Sequence, residues 1–195
     1  MYELAIVGAG PAGMAAAVRA CELGLSVLVI DDQSRAGGQI LRRPPEAFNV
    51  GNWLSQRVYK PLHDLYARFV GLHEALTHLH DAAVLGVELC DGGFRLQILT
   101  PDGLVTRGAE RVIVAAGCFD MPLAFPGAQL PGVMAAGGLQ AFLKSQQTVP
   151  GDRFLFVGTH PLQLIVANQI AGAGGEVAGV VFAQPMRAFL GLLGR

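Results

Sequence analysis

The N-terminal run of residues 3–17, ELAIVGAGPAGMAAA, constrains the fold more than any other part of the chain. An apolar strand over Glu3–Val7 leads into a glycine-rich turn, and an alanine-rich helix follows. Gly8 permits a tight turn, Gly10 lets the backbone approach a ligand closely, and Gly13 lets the helix pack on the strand. This layout presents main-chain N–H groups and a helix N-terminus to a pyrophosphate. It therefore predicts a dinucleotide-binding site.

The sequence after the glycines agrees with this prediction. A helix is expected from Pro11 to Leu23, because proline is well tolerated at a first helical position, and Gly24 ends it. A second apolar strand is expected over Ser26–Ile30. Asp31 and Asp32 follow, about twenty residues after the glycines, where a carboxylate can accept hydrogen bonds from a ribose.

Composition limits the classes of partner. The chain has 195 residues, of which 52% are hydrophobic and only 15% charged, whereas about 25% charged is usual. A net charge of −1 gives no support for a nucleic-acid partner. No uninterrupted apolar run reaches the roughly 18 residues of a membrane span, and the chain opens directly into a strand, so we expect neither a membrane span nor a signal peptide, and a cytoplasmic location. The apolar excess predicts surface that another protein chain or further residues cover.

The cysteines and histidines point to no dithiol or metal site. Cys21, Cys90 and Cys118 form no C-x-x-C pair, which removes the dithiol that thioredoxin-reductase-like enzymes need. His78 and His80 would share one face of a strand, but no third ligand of suitable spacing accompanies them. We therefore expect no metal.

The middle of the chain predicts a helix and then short strands. A Gly-, Pro- and Arg-rich loop is expected from Gln33 to about Trp53, and an amphipathic helix from about Ser55 to Val70. Alternating runs separated by turn residues predict a β-meander at about residues 82–107, with the strands Ala82–Cys90, Phe94–Thr100 and Leu104–Arg107. A separate buried strand is expected over Arg111–Ala115.

A second strand–turn–helix unit begins at Arg153 but lacks the features of the first. Its strands are expected over Phe154–Val157 and Glu176–Phe182. His160 and Gln163 occupy the second and third glycine positions, which obstructs a pyrophosphate, and no carboxylate follows the second strand. We expect weak NAD(P) binding here or none.

These elements predict an α/β protein. The fold class is a Rossmann-like dinucleotide-binding fold with a β-meander, followed by the start of a second Rossmann-like domain. The predicted domains are a dinucleotide-binding domain over 1–120, an interdomain crossing over 121–150 and a degenerate NAD(P)-binding-like domain over 151–195.

Several motifs together resemble a known family: GAGPAG, VLVIDDQ, AGGQILR, RVIVAAG and DMPLAFPGAQLPGVMAAGGLQAFLK. They resemble the FAD-dependent pyridine-nucleotide-disulfide-oxidoreductase-like superfamily. The resemblance implies a Rossmann-like FAD/NAD(P)-binding fold, with residues 1–120 as the FAD-binding domain. More narrowly, the chain is similar to the flavoprotein alpha subunits of multi-subunit amine and amino-acid dehydrogenases. Those include opine oxidases, hydrogen cyanide synthase and proline or hydroxyproline dehydrogenases.

The resemblance implies a set of FAD-binding residues. The FAD pyrophosphate would be held by Gly8, Gly10, Pro11, Ala12 and Gly13, and the adenosine ribose by Asp31. The flavin side of the cofactor would lie along Gly38 and Gln39, with Arg42 nearby. As sequence alone, Arg42 is as well explained by a solvated loop charge as by a phosphate contact. The backbone of Val84 would meet the adenine. Ala116 and Gly117 match an Ala-Thr-Gly turn of the family, with alanine in place of the threonine and so without its hydroxyl.

The resemblance also implies an activity: an FAD-dependent oxidoreductase that is part of an amine, amino-acid or opine dehydrogenase. It would pass a hydride from the carbon bearing nitrogen to the flavin, or relay electrons, with other subunits and a small amine or amino-acid substrate as its partners. No catalytic residue follows from the spacing. Members of the family are about twice as long and return to complete the FAD domain, so we expect a fragment, or a protein that a second polypeptide completes.

Two alternatives stay open at this point. The chain could be a non-catalytic cofactor or assembly subunit, which the eroded second unit favours. It could also be an NAD-dependent dehydrogenase that uses the first unit, because Asp31 suits the ribose of NAD as well as that of FAD.

Overall fold

The computed structural model describes residues 1–44 and 56–185 of the chain, with side chains from residue 59 in the second range. The predicted loop up to Trp53 therefore lies partly outside the described residues, as do Ser55 and the tail from residue 186. The described chain divides into two units. One contains residues 1–42 and 56–118, and the other contains 119–185 with residues 43 and 44.

The first unit opens with the predicted strand–helix–strand. Strand β1 (Tyr2–Val7) leads into helix α1 (Pro11–Glu22), and strand β2 (Val27–Ile30) follows. The helix has Pro11 at its first turn, and Gly24, with φ of +77°, ends the turn after it. The side chains of both strands alternate between two hydrophobic cores, because successive strand residues point to opposite faces of the sheet. The first core contains Met14, and the second contains Leu28.

A second helix covers the first on the same face of the sheet. Helix α2 (Gln56–Val70) matches the amphipathic helix predicted from about Ser55 to Val70, and Phe69 near its end is buried in the same core as Met14 of α1. An ion pair of 2.6 Å between Arg68 and Glu22 joins the two helices. Hydrogen bonds from Arg19 and Arg68 lower the pKa of Glu22 below the ordinary glutamate value.

The remaining strands complete a six-stranded sheet in the order β3-β2-β1-β6-β5-β4. These strands are β3 (Leu76–Leu79), β4 (Ala83–Cys90), β5 (Gly93–Thr100) and β6 (Gly103–Val114). The pairs β3–β2, β2–β1 and β1–β6 are parallel, whereas β6–β5 and β5–β4 are antiparallel. The fold is thus a mixed α/β sheet of Rossmann type with a meander, as the sequence predicts.

The meander folds over the second face of the sheet. Leu96 and Ile98 of β5 are fully buried in the same core as Leu28 and Ile30 of β2, although β1 and β6 lie between those strands in the sheet order. The sheet must curl for residues of these two strands to share a core. The parallel strands are consequently buried on both faces, with helices on one side and the meander on the other.

The prediction of two separate strands after residue 103 is wrong. Residues Gly103–Val114 form one continuous strand, β6, whose first part pairs with β5 and whose last part pairs with β1. The prediction that Arg111–Ala115 is buried is also wrong, because Ile113 is 40% and Val114 is 73% exposed. The apolar run indicates a strand, but burial depends on a neighbour that the local sequence does not specify.

The second unit is a smaller α/β arrangement. It contains α3 (Ala136–Ala141), a π-helical turn over Phe142–Gln146, β7 (Arg153–Gly158), α4 (Leu162–Gly172) and β8 (Glu176–Phe182). Strands β7 and β8 are parallel, and α4 connects them. Its core includes Phe156, Val166 and Ile170. Leu155 and Val157, on the other face of β7, are 64% and 68% exposed.

Candidate functional site

The turn between β1 and α1 can be built only with glycine at Gly8. Its φ is +102°, a conformation that side chains rarely adopt. A Cβ on Gly8 would lie 2.4 Å from the carbonyl oxygen of Ala115. The Gly8 N–H donates to the Ile30 carbonyl at 2.7 Å, which ties the turn to the end of β2.

Gly13 and Gly10 are glycines for different reasons. A Cβ on Gly13 would lie 1.8 Å from the Gly8 carbonyl oxygen, so the first turn of α1 can pack against the end of β1 only without a side chain. A Cβ on Gly10 would have the Gly38 Cα at 3.9 Å as its nearest neighbour, an ordinary contact distance. Gly10 has φ of −68°, which any residue can adopt. Nothing in the described part of the fold therefore requires glycine at residue 10.

Free hydrogen-bond donors surround this open space. Within the described residues, the N–H groups of Gly10, Ala12 and Gly13 have no acceptor, whereas the Met14 N–H donates to the Gly10 carbonyl at 2.9 Å. Pro11 begins the helix and has no N–H to satisfy. Free N–H groups and the positive end of the helix dipole favour an anion such as a pyrophosphate.

A second loop lies against the same turn. The Gly37 N–H donates to the Ala9 carbonyl at 2.8 Å. Gly38, with φ of +56°, faces Gly10 so closely that a Cβ on it would lie 2.9 Å from the Gly10 Cα. The Gln39 side-chain amide donates to the Cys118 carbonyl at 2.7 Å. The predicted Gly38–Gln39 segment is thus held between the glycine turn and the residues after β6.

The end of β6 forms the third wall. The Ala115 N–H donates to the Val7 carbonyl at 2.7 Å, and the Ala116 Cα would lie 3.1 Å from a Cβ on Gly8. Gly117 adopts φ of +71° where the chain turns away. The structure therefore brings together the glycine turn, the loop at Gly38 and the turn at Ala116 and Gly117 at the carboxyl end of β1. This is where parallel α/β sheets bind ligands.

The Asp31 carboxylate is not exposed to solvent, as a side chain that binds a ribose in an open site would be. Its side chain is buried, with 7% exposure. One carboxylate oxygen accepts the Ala9 N–H, and the other accepts the Gln33 N–H at 2.8 Å. Sequence reasoning missed this backbone role. The available signal was the residue type, because aspartate often accepts the N–H of the residue two positions on.

Val84 lies near this corner, whereas Arg42 has no contact that places it there. The Ala82 N–H donates to the Asp31 carbonyl at 2.9 Å, so the start of β4 lies beside the end of β2. Val84 follows two residues later on the edge strand β4, and its side chain packs on the second core. No hydrogen bond or ion pair from Arg42 to another described residue is found.

The corresponding corner of the second unit is filled by its own chain. The Leu162 N–H donates to Nδ1 of His160 at 3.1 Å, and the Gln163 N–H donates to the His160 carbonyl at 3.3 Å. The Leu164 N–H donates to the Pro161 carbonyl at 3.0 Å. The Gln163 side chain is 5% exposed, and its amide lies against Gly158, where a Cβ would be 3.2 Å from Oε1. The first N–H groups of α4 are consequently already used.

Two further side chains have shifted pKa values. Burial raises the pKa of the Cys21 thiol, so this cysteine in the first core is a poor nucleophile. Burial also lowers the pKa of His78 on β3, with a smaller opposing effect from the charge of Asp31. Across the described ranges, no three His, Cys, Asp or Glu side chains gather as metal ligands would. None of the described helices combines the length and the apolar character that crossing a membrane requires.

Comparison with known proteins finds relatives of this chain. Residues 3–85, which hold both the glycine turn and the Gly38 loop, match the family model described as FAD dependent oxidoreductase. The chain is thus similar to FAD-dependent oxidoreductases. It is 36% identical over 176 residues to the hydrogen cyanide synthase subunit HcnB of Pseudomonas protegens, covering 90% of this chain and 37% of that protein. It is 34% identical over 186 residues to one of the opine oxidase subunits of Agrobacterium tumefaciens, covering 89% of this chain and 35% of that protein.

A solved structure supports the fold of this chain. The L-proline dehydrogenase from P. horikoshii matches with a TM-score of 0.70 and 23% identity, over 92% of this chain and 35% of that one. Curated relatives also include the sarcosine oxidase alpha subunit of Corynebacterium sp. strain P-1, at 28% identity over 90% of this chain and 19% of that protein. The chain therefore spans well under half of the length of the relatives cited here.

Proposed function

We propose that this chain binds FAD at the β1–α1 corner and is part of an oxidoreductase that acts on an amine or amino acid together with other subunits. The observation that carries the proposal is the space at Gly10. Three N–H donors with no acceptor among the described residues face a position where the fold itself would accept a side chain. A ligand that approaches the backbone closely explains why glycine is used there.

Different residues of the chain would have different roles in binding the cofactor. The N–H groups of Gly10, Ala12 and Gly13 would donate to the pyrophosphate, because they point into an open corner at a helix N-terminus. Gly8 and Pro11 would hold the turn in its conformation. The Gln39 amide, fixed on the Cys118 carbonyl, would keep the Gly38 loop and the Ala116–Gly117 turn together beside the cofactor.

The chemistry itself would come from the flavin, which accepts a hydride when bound. The relatives support the amine or amino-acid class of substrate, because they include subunits of an opine oxidase and of a sarcosine oxidase. That these relatives are named as subunits also supports the proposal that other subunits complete the enzyme. The cytoplasmic location, the role of Arg42 and the domain boundaries remain predictions.

The second unit would not bind NAD(P). The first N–H groups of α4 are engaged by His160 and Pro161, and Gln163 fills the space that a third glycine would leave open. A titration with NADH should therefore show no saturable binding. Tight binding of NADH by a preparation without flavin would instead favour an NAD-dependent dehydrogenase.

The experiment is a visible spectrum of the FAD-loaded protein, purified with any subunits that accompany it. We expect flavin bands that bleach without oxygen when the correct amine or amino acid is added. Bands that persist with every amine and amino-acid donor would contradict the catalytic proposal and favour the cofactor or assembly subunit. An absence of flavin binding would contradict the site itself.

A further inference from the structure

The Gly38 loop, residues 36–41, is firmly held on its side of the proposed FAD site. The Gly37 N–H donates to the Ala9 carbonyl at 2.8 Å, and the Leu41 N–H donates to the Gly37 carbonyl at 3.1 Å. Ala36 and Leu41, at the two ends of the loop, are buried in the first core. A loop that is tied to backbone and core at both ends has little freedom to move.

The segment that follows β6, residues 116–118, is held by fewer contacts. Just before it, the Ala115 N–H donates to the Val7 carbonyl at 2.7 Å. From residue 116 to residue 127, no backbone N–H donates to the carbonyl of another described residue. All three residues of the segment are exposed, and Gly117 has φ of +71°, which glycine adopts without strain. An exposed backbone with few hydrogen bonds is typical of a segment that opens locally.

A side-chain hydrogen bond joins the firmly held loop to this segment. Gln39 Nε2 donates to the Cys118 carbonyl at 2.7 Å. Gln39 is half-buried and Cys118 is exposed, so water can take the place of either partner and the hydrogen bond can open and close. One hydrogen bond of this kind changes an equilibrium constant by up to about tenfold.

The loop and the segment border different ends of the glycine turn. A Cβ on Gly38 would lie 2.9 Å from the Gly10 Cα, whereas a Cβ on Gly8 would lie 3.1 Å from the Ala116 Cα. The hydrogen bond between loop and segment therefore connects the Gly10 end of the turn with its Gly8 end. The proposed pyrophosphate position at Gly10 lies beside the part that is firmly held, and the part that can open lies at the other end.

We propose that the Gln39 side chain is a latch on the proposed FAD site. The latch is closed when the Gln39 amide donates to the Cys118 carbonyl, and it is open when residues 116–118 move away. This inference rests on the proposed function and adds to it how the cofactor enters and leaves. FAD would pass only while the latch is open, so the open fraction would scale the rates of association and of release alike.

A latch differs in its kinetics from a direct contact with the cofactor. Removing a latch that is closed equally in the free and the loaded protein raises both rates by the same factor, so the dissociation constant stays nearly constant. Removing a contact that Gln39 made with bound FAD would instead raise the release rate and leave the association rate unchanged.

The test measures FAD association with the cofactor-free protein by stopped-flow flavin fluorescence, and FAD release after dilution of the loaded protein. The protein is purified with any subunits that accompany it. Gln39→Met keeps a similar length without a donor, and Gln39→Ala removes the amide without adding apolar bulk. We expect both variants to associate and to release at least about threefold faster than the wild type, with a dissociation constant within about twofold of it. Gln97→Met, the same change at an exposed position of β5, should leave both rates unchanged.

The outcomes separate the latch from the proposed function. An association rate that rises in neither Gln39 variant would overturn the latch, whatever happens to the release rate. An equal rise of both rates in Gln97→Met would also overturn it, because the effect would then not belong to Gln39. Failure of the wild-type protein to bind FAD would overturn the proposed function and the latch together.

Discussion

At the scale of the residue, the three glycines of the β1–α1 turn serve three separate requirements. Gly8 is needed for its backbone conformation and Gly13 for the packing of α1 on β1. Gly10 is needed for neither, because among the described residues a Cβ there would meet only the Gly38 Cα, at 3.9 Å. This difference leads to a stability prediction that separates folding from binding.

Gly10→Ala should fold normally, with a free energy of unfolding within about 1 kcal/mol of the wild type in the absence of cofactor. Gly13→Ala should lose about 3 kcal/mol or more, because its Cβ would overlap the Gly8 carbonyl oxygen at 1.8 Å. Urea denaturation of the cofactor-free proteins measures both. Equal destabilisation by the two substitutions would show that Gly10, too, is a packing glycine.

Sequence reasoning placed the residues of this turn correctly because each glycine acts through local backbone geometry. It missed the hydrogen bonds from Ala9 to Asp31 and from Gln39 to Cys118, since these join positions that are distant in the sequence. A spacing rule identifies a carboxylate after β2. It does not tell whether that carboxylate points to the ligand or to the backbone.

A second prediction at this scale concerns Gln163. Its side chain is buried, and neither its amide nitrogen nor its amide oxygen has a hydrogen-bond partner in the described chain. Unsatisfied buried polar atoms cost about 1–3 kcal/mol. Gln163→Met, which is similar in shape, should therefore stabilise the protein by about 1 kcal/mol in thermal or urea unfolding. A loss of stability would mean that this amide makes a hydrogen bond in solution. Gln97→Met, the same substitution at an exposed position of β5, serves as a control.

At the scale of the element, strand β3 places a titratable side chain, His78, against helix α2. The His78 ring meets Phe69 of α2 edge-on, with 5.4 Å between the ring centroids, and its Nε2 is buried without a partner among the described residues. Burial lowers the pKa of His78 below the ordinary histidine value. The folded state therefore favours the neutral imidazole of His78 over the protonated one.

This pKa shift predicts a pH dependence of stability. Below the ordinary histidine pKa, near 6.5, the unfolded chain takes up a proton that the folded chain resists. The unfolded state then binds more protons, and stability falls as the pH falls. Melting temperatures at pH 7.5 and 5.5 should drop less for His78→Leu than for the wild type, while His63→Leu on the exposed side of α2 should match the wild type. An identical drop in all three proteins would contradict the assignment to His78.

The sequence predicted the helices and strands that have strong local patterns, but it did not predict which strand residues are buried. The bounds of α1, β2 and β8 follow from capping residues and apolar runs. The strand β6 joins what the sequence suggested were two strands, because residues Gly108–Glu110 continue the extended backbone from the meander into the parallel sheet. Val114 is exposed although it lies in an apolar strand, since the pattern does not say which face meets a neighbour.

At the scale of the whole molecule, two α/β units of similar design have different capacities. The first leaves the N–H groups of its helix N-terminus open, whereas the second uses those of α4 on His160 and Pro161. The match of residues 3–85 to the FAD dependent oxidoreductase model and the glycine turn support one cofactor site. The central claim is our proposal that this site binds FAD. The exposed apolar residues Val114 in the first unit, and Leu155 and Val157 in the second, fit the expectation that further protein covers part of each unit.

The most direct test is an equilibrium titration of FAD against the wild-type protein, Gly10→Ala and the control Gly172→Ala, with bound flavin measured by fluorescence. The added methyl group of Gly10→Ala should occupy the space of the pyrophosphate and weaken FAD binding at least about tenfold, the equivalent of about 1.4 kcal/mol. Gly172→Ala should bind as the wild type does. FAD binding by a folded Gly10→Ala that equals the wild type would contradict a pyrophosphate at this turn.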